Sequence, residues 1–271
     1  MTQHFCVFTS IYKEIIHYFL NIKKQNKMKK HVIYSMIVIC GLTTSCTYYP
    51  RLTGIPLIKE KGDTRIEGGV GVFSQSAQVS VAHGATENIA FHLAASIDPY
   101  GPQGSSGLYT QGAIGYYKNF QDRRVMEMYG GLALGRSEAH NAERGTVFGN
   151  YQMYFAQFNI GNIEQKKANM EYGFGLKSGI LSSKMTDAEY FGYDYPQNKP
   201  YPVYRLNGIV AEPTLFLRFG GEKLKFFTSL GYSLYYQLNN TDQWLPASAP
   251  NFGLGISYSF GGNTNSKYFQ K

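Results

Sequence analysis

Cysteine is almost missing from this chain. Of 271 residues only Cys6, Cys40 and Cys46 are cysteine, and none lies beyond residue 46. A disulfide framework or a thiolate metal site downstream is thereby excluded. Charge is sparse at 16% Asp, Glu, Lys and Arg, and its excess lies early. The first 45 residues carry six lysines and one glutamate, so they supply +5 of the formal +8 and leave +3 for everything else. A nucleic-acid partner would require a basic patch, and the body has only scattered single charges. Helix formers are few, and the apolar run inside residues 28–46, about a dozen residues long, is too short to span a bilayer. The sequence contains no G-x-S-x-G, H-E-x-x-H, Walker A, EF-hand or paired-cysteine zinc pattern. Gly68, Gly69 and Gly71 lack the following helix that a nucleotide fingerprint needs. No cofactor and no metal is expected.

Glycine and aromatics are plentiful instead: 30 Gly, 23 Tyr and 18 Phe, a composition of strands and tight turns. The clearest pattern is 250–260, PNFGLGISYSF, where Phe252, Leu254, Ile256, Tyr258 and Phe260 alternate with Asn251, Gly253, Gly255, Ser257 and Ser259. That period of two describes a strand with one oily face and one small, polar face. The same theme recurs from Thr64 and predicts ten strands: 64–73, 77–84, 89–98, 107–117, 124–135, 150–160, 168–181, 203–219, 224–236 and 250–260. Eight remain possible if 64–84 is one bent or differently paired element. Long connections are expected at 99–106, 136–149, 182–202 and 237–249, with short turns between the others. Pro213 predicts a bulge or distorted pairing. An even strand number, lengths near the 9–11 residues of a tilted crossing, loops sorted by length and an apolar outer face predict an all-β, closed antiparallel barrel of outer-membrane type over 64–260.

Strand parity places Glu67, Glu127, Glu171, Lys177, Glu212, Arg218 and Lys225 inside, where charges must be paired or hydrated. Residues 168–181 and 203–219 run antiparallel. Glu171 with Arg218 and Lys177 with Glu212 both sum to 389, so one register sets both pairs face to face. Gly68, Gly69 and Gly71 are expected instead to act sterically, as inner-face glycines that let side chains of opposite strands meet across a narrow lumen. His92 and Asp98 share a face about 20 Å apart, too far for a dyad. His83 points outward beside a turn, and His140 lies in a charged outer loop. Ser80, Ser96, Ser105, Ser106 and Ser137 are too many to single out one as a nucleophile. Tyr190, Tyr193, Tyr195 and Tyr201, with Trp244 in another loop, offer stacking surfaces for a surface glycan or peptide, or an interfacial belt.

Residues 28–45 have the n-region and h-region of a secretory leader. Leu42-Thr43-Thr44-Ser45-Cys46 resembles the lipobox of bacterial lipoproteins, which implies acylation at Cys46. Residues 1–27 are expected to be translated sequence upstream of the working start at Met28, 46–63 a lipid anchor and tether, and 261–271 a polar tail. No acidic residue follows Cys46 before Glu60, so the anchor is expected in the periplasmic leaflet. Strand 250–260 resembles the C-terminal strand of bacterial outer-membrane barrels. With Cys46, Tyr48, Pro50 and Lys61-Gly62-Asp63, the chain over 28–260 resembles outer-membrane β-barrel lipoproteins of Bacteroides-like bacteria. The resemblance implies outer-membrane lipid, the lipoprotein-processing machinery and the barrel-assembly machinery as partners. The expected role is structural or surface recognition. The alternatives are a rim-active hydrolase or acyltransferase and a narrow small-solute pore.

Overall fold

Alternating side chains become ten antiparallel strands in the computed structural model, which describes residues 53–72, 74–101, 105–120, 123–141, 145–163, 169–187, 203–238 and 249–261. They are β1 Thr64–Gly71, β2 Ser76–Gly84, β3 Ile89–Gly101, β4 Ser105–Asn119, β5 Arg124–Asn141, β6 Gly145–Asn162, β7 Glu171–Asp187, β8 Val203–Gly220, β9 Leu224–Gln237 and β10 Ala249–Phe260. Each pairs with its sequence neighbour, and β1 pairs with β10 to close a barrel. The seam runs from Thr64↔Phe260 to Gly71↔Gly253. Residues 64–84 form two separate strands, so the count is ten and not eight. Closure leaves no unpaired edge, as a β-structure in lipid requires.

One end of the barrel, the turn end, carries the connections 85–88, 120–123, 163–170 and 221–223. The other, the loop end, carries 72–75, 102–104, 142–144, 188–202 and 238–248. Two expected long loops are absent. Strands β5 and β6 stay paired through Asn141↔Gly145, and β3 and β4 through Gly101↔Ser105, so each of these connections is three residues long. Most of 99–106 and 136–149 is therefore strand. His140 lies in β5 opposite Thr146.

The reason is visible in the outward residues. Leu215, Leu217 and Phe219 belong to an oily belt on β8, but Asn207 and Arg205 continue the same face beyond it. On β5 Leu132 and Leu134 give way to Arg136, and on β7 Ile180 gives way to Ser182 and Lys184. Strand pairing persists where the apolar pattern stops. The tall wall β5–β8 thus stands past the belt, whereas β1 and β2 have only 8 and 9 residues. At the turn end the belt finishes in aromatics, with Phe219 and Phe226 6.1 Å apart and Tyr258 and Phe260 5.8 Å apart. Such a rim matches the preference of aromatic rings for a membrane–water boundary.

Pro213 makes no bulge. Across β8 and β9, Ala211↔Leu234 and Thr214↔Gly231 share one register, and pairing merely lapses at Glu212 and Pro213. Proline has no N–H to give to the ladder, so a local gap suffices. Gly71 makes room locally and not across the lumen: a Cβ there would lie 2.7 Å from Oγ of Ser76, its paired residue on β2, and a Cβ on Gly68 would meet nothing within 4 Å. A Cβ on Gly115 would lie 2.3 Å from the Tyr129 ring, and one on Gly135 2.1 Å from the Tyr151 ring. Each aromatic belongs to the directly paired residue on the adjacent strand rather than to the opposite wall.

Candidate functional site in the barrel lumen

The turn end of the lumen is filled by charge and by the chain itself. Residues 53–63, the described part of the expected tether, enter the barrel. Ile55, Leu57 and Ile58 are 0–2% exposed. Their side chains sit where neighbouring walls lack bulk: a Cβ on Gly175 would meet Ile55 at 2.6 Å, one on Gly161 would meet Leu57 at 2.6 Å, and one on Gly84 would meet Ile58 at 2.9 Å. Ile55 and Leu57 pack with Val125, Ile163 and Phe216 into one apolar cluster. Leu57 adopts a left-handed φ of 51°, a conformation that costs a non-glycine residue about 1–2 kcal/mol. Full burial and the bonds on either side hold it there.

Wall side chains satisfy the backbone of this segment, as burial of peptide groups demands. Gln157 Nε2 donates to Gly54 O at 2.8 Å, and the Arg218 guanidinium donates to Ile55 O. The Ile58 N–H donates to Glu127 Oε1 at 2.7 Å, and the Asn119 amide donates to Lys59 O. Glu127 also accepts from Asn159 Nδ2 at 2.9 Å and from the Tyr129 hydroxyl at 3.2 Å. It works as a backbone clamp more than as half of an ion pair. Below it, the Gly62 N–H bonds Gly84 O and the Gly84 N–H bonds Asp63 O, which tie the segment to the start of β1 and the end of β2.

The seven expected inner charges are all buried. The register of β7 and β8 sets Glu171 opposite Arg218 and Lys177 opposite Glu212. The pairing is nevertheless not a set of isolated couples. Glu171 takes a two-pronged contact from Arg65, at 2.7 and 3.3 Å, and a 3.3 Å contact from Arg218, with Lys59 at 3.7 Å. Arg218 has a shorter ion pair, 2.6 Å, with Glu67. Lys177 lies 3.7 Å from Glu212 but donates at 2.5 and 2.9 Å to the Tyr109 hydroxyl and Gln111 Oε1. Lys225 donates to Asn169 O at 2.9 Å. Arg65 and Lys59 were not among the sequence candidates. Arg65 shares the parity of Glu67 and was legible from it; Lys59 lies outside any strand.

His92 is 1% exposed, with neither ring nitrogen in a hydrogen bond. A Cβ on Gly54 would be 2.9 Å from its Nε2 and 3.3 Å from Ser80 Oγ. Asp98, six residues along β3, is also buried inside. His83 bonds Thr64 Oγ1 at 2.8 Å through Nδ1 at the turn end. Ser96 and Ser137 are buried, with no hydrogen bond to either hydroxyl. Cys46, Tyr190, Tyr193, Tyr195, Tyr201 and Trp244 lie outside the described residues, as do 1–27 and the tail after Gly261.

An even-stranded, closed antiparallel barrel with an oily exterior and a polar, charged interior defines the fold as that of an outer-membrane-type β-barrel. No family model matches the chain, and no curated protein matches it in sequence. Solved structures similar to it include the outer membrane protease OmpT from Escherichia coli, with TM-score 0.43 and 11% identity over 74% of this chain and 93% of that one. The translocator domain of the autotransporter NalP from Neisseria meningitidis gives 0.36 and 10%, over 86% and 97%. The N-terminal β-barrel domain of Pseudomonas aeruginosa OprF gives 0.32 and 14%, over 74% and 100%.

Proposed function

We propose that this chain is a lipid-anchored outer-membrane β-barrel, shut by its own N-terminal segment, whose tall wall β5–β8 is a surface-recognition element. The observation that carries the reading is the burial of residues 54–58 inside the lumen, clamped by Glu127, Gln157 and Arg218. A general pore needs a continuous water path, and Ile55, Leu57 and Ile58 with the Arg65–Glu171–Arg218 cluster occupy the turn end where that path would run. Three features support membrane residence: the oily outward belt, the aromatic rim and full closure of the sheet. The Leu42–Cys46 segment supports acylation at Cys46.

The wall β5–β8 continues beyond the belt with polar outward residues, which suits it to water. Its last connection, 188–202, contains Tyr190, Tyr193, Tyr195 and Tyr201, side chains able to stack on a glycan or peptide. Processing and insertion would use the lipoprotein and barrel-assembly machineries. The reading is tested by reconstituting the purified protein in planar bilayers. It predicts no stable conductance steps from the wild type. Regular open-channel steps would contradict closure and favour the narrow pore.

A further inference from the structure

The outer face of the barrel at its loop end gathers its positive charge on one wall. Along a single pairing row, Ala77 on β2 stands opposite Ile97 on β3, and Ile97 opposite Leu108 on β4, all three outward and apolar. From Leu108 the same row passes to Arg136 on β5, then to Asn150, Lys184 and Arg205 on β6, β7 and β8, each directly opposite the next. All four are exposed. Strands of such a barrel tilt by about 35–45°, so a row that crosses them climbs relative to the membrane, and this one leaves the oily belt between β4 and β5. Its height suits a headgroup layer. Arg136 stands two residues beyond Leu134 and Arg205 four beyond Ile209, which at that tilt is about 5 and 10 Å along the membrane normal. The polar layer of a bilayer is about 5–8 Å deep on each side, and long cationic side chains reach back toward it.

The chemistry of this patch is one-sided. One row nearer the belt, Gln152, Ser182 and Asn207 face outward and add only neutral polar groups. Among the described residues the nearest outward carboxylate on this wall is Glu138, one row further from the belt and opposite Phe148. No Lys or Arg faces outward on the loop-end halves of β1–β4, β9 and β10 among the described residues. Lys184 and Arg205 are cross-strand neighbours, with Cα atoms about 4.5–5.5 Å apart. Like charges so placed destabilise a sheet. An oxyanion seated over the two converts that repulsion into charge-assisted hydrogen bonds. Arg136 lies two strands away from Lys184, about 10 Å, and must serve a separate group.

We infer that the outward face of β5–β8, just beyond the belt, is a docking site for a phosphate-bearing lipid headgroup of the surrounding leaflet. Lys184 and Arg205 hold the phosphate, and Arg136 with Asn150 takes a neighbouring anionic or hydroxyl group. Continuity with the belt selects a lipid over a soluble phosphate, because Leu132, Ile180 and Ile209 lie directly below to receive the acyl chains. The inference rests on membrane residence and is independent of the Cys46 lipid and of the occupied lumen.

The test titrates the folded full chain in neutral detergent with a phosphatidic acid and, separately, with a phosphatidylcholine of the same acyl chains, and counts bound lipid by native mass spectrometry. Lys184→Gln, Arg205→Gln, Arg136→Gln and Lys184→Arg are compared with Lys223→Gln, which removes the same charge at the turn end. Fast migration of each unheated variant on a gel checks its fold. The wild type should prefer phosphatidic acid; Lys184→Gln and Arg205→Gln should each weaken it about tenfold, Arg136→Gln less, and Lys184→Arg and Lys223→Gln by no more than about twofold. Unchanged binding in both Lys184→Gln and Arg205→Gln overturns the site, and so does an equal loss in Lys223→Gln, which would report net charge alone. Displacement of the lipid by inorganic phosphate at the same concentration overturns the lipid as occupant. A wild type that stays monodisperse after detergent removal overturns the membrane reading itself, and does so whatever the variants bind.

Discussion

Glu171 is a single carboxylate answering three cations, Arg65, Arg218 and Lys59, and it is fully buried. Removing one member of such a cluster leaves the others charged and unpaired, at about 3–5 kcal/mol. Glu171→Gln should therefore lower unfolding stability in detergent micelles by roughly that amount, read from urea titration. A loss below about 1 kcal/mol would mean that the cluster is hydrated rather than closed. Exchanging Glu171 and Arg218 alone should rescue little, since Arg65 would then face an arginine. In double-mutant cycles the Arg65–Glu171 coupling should exceed that of Lys177–Glu212, because 2.7 Å and two prongs outweigh 3.7 Å with Lys177 held elsewhere. Strand parity made the charges and the 389 register legible. It could not reveal that Arg65 on the far wall, not the facing Arg218, makes the closest contact with Glu171, because contacts across a lumen depend on closure and tilt. The glycines divide by the same kind of detail. Gly115→Ala should destabilise by about 1–3 kcal/mol through contact with the Tyr129 ring and the Met128 carbonyl. Gly68→Ala, with nothing within 4 Å, should be neutral or gain up to about 1 kcal/mol. Thermal unfolding of both variants side by side checks the contrast.

At the scale of the strand, the period-two pattern reported contact with lipid rather than hydrogen bonding. Strands expected to end at 135 and 181 lose their oily outward face there, and the one expected to begin at 150 begins at 145. Asn141↔Gly145 and Val147↔Asp187 show that their pairing continues into water. Arg136 and Lys184 broke the apolar rhythm, so the expected strands stopped at the edge of the belt, whereas the strand expected over 203–219 already ran past Asn207 and Arg205. Strand β8 tests that boundary within one element. Leu215→Arg, at the middle of the belt, should cost about 2–4 kcal/mol for folding into lipid vesicles, as expected near a bilayer midplane. Asn207→Arg, outward on the same strand beyond the belt, should stay within about 0.5 kcal/mol. Equal costs at the two positions would remove the belt from lipid. The segment 53–63 was illegible for a different reason. Gly54-Ile55-Pro56-Leu57-Ile58 has no period, and its apolar character finds a partner only once Gly84, Gly161 and Gly175 are brought round it by closure. The run of four apolar residues after the leader, without a charge, was the signal available.

At the largest scale, the barrel and residues 53–63 inside it pack as one body, and self-occupation of the lumen governs conduction and recognition together. Gly175→Val adds bulk where the Ile55 and Asn159 side chains lie nearest. It should loosen the segment without breaking the wall. Conductance should appear in planar bilayers where the wild type is silent, while fast migration of the unheated protein on a gel persists. The most direct measurement traps the occupant in place. In a Gly54→Cys, Ser80→Cys variant the two sulfurs are set to meet, since a Cβ on Gly54 lies 3.3 Å from Ser80 Oγ, close enough for a bridge. Mild oxidation in native outer membranes, followed by denaturation and mass-tagging of free thiols, should show both engineered thiols consumed, and restored by reductant. Two freely tagged thiols after oxidation, in a barrel that still migrates as folded, would contradict an occupied lumen.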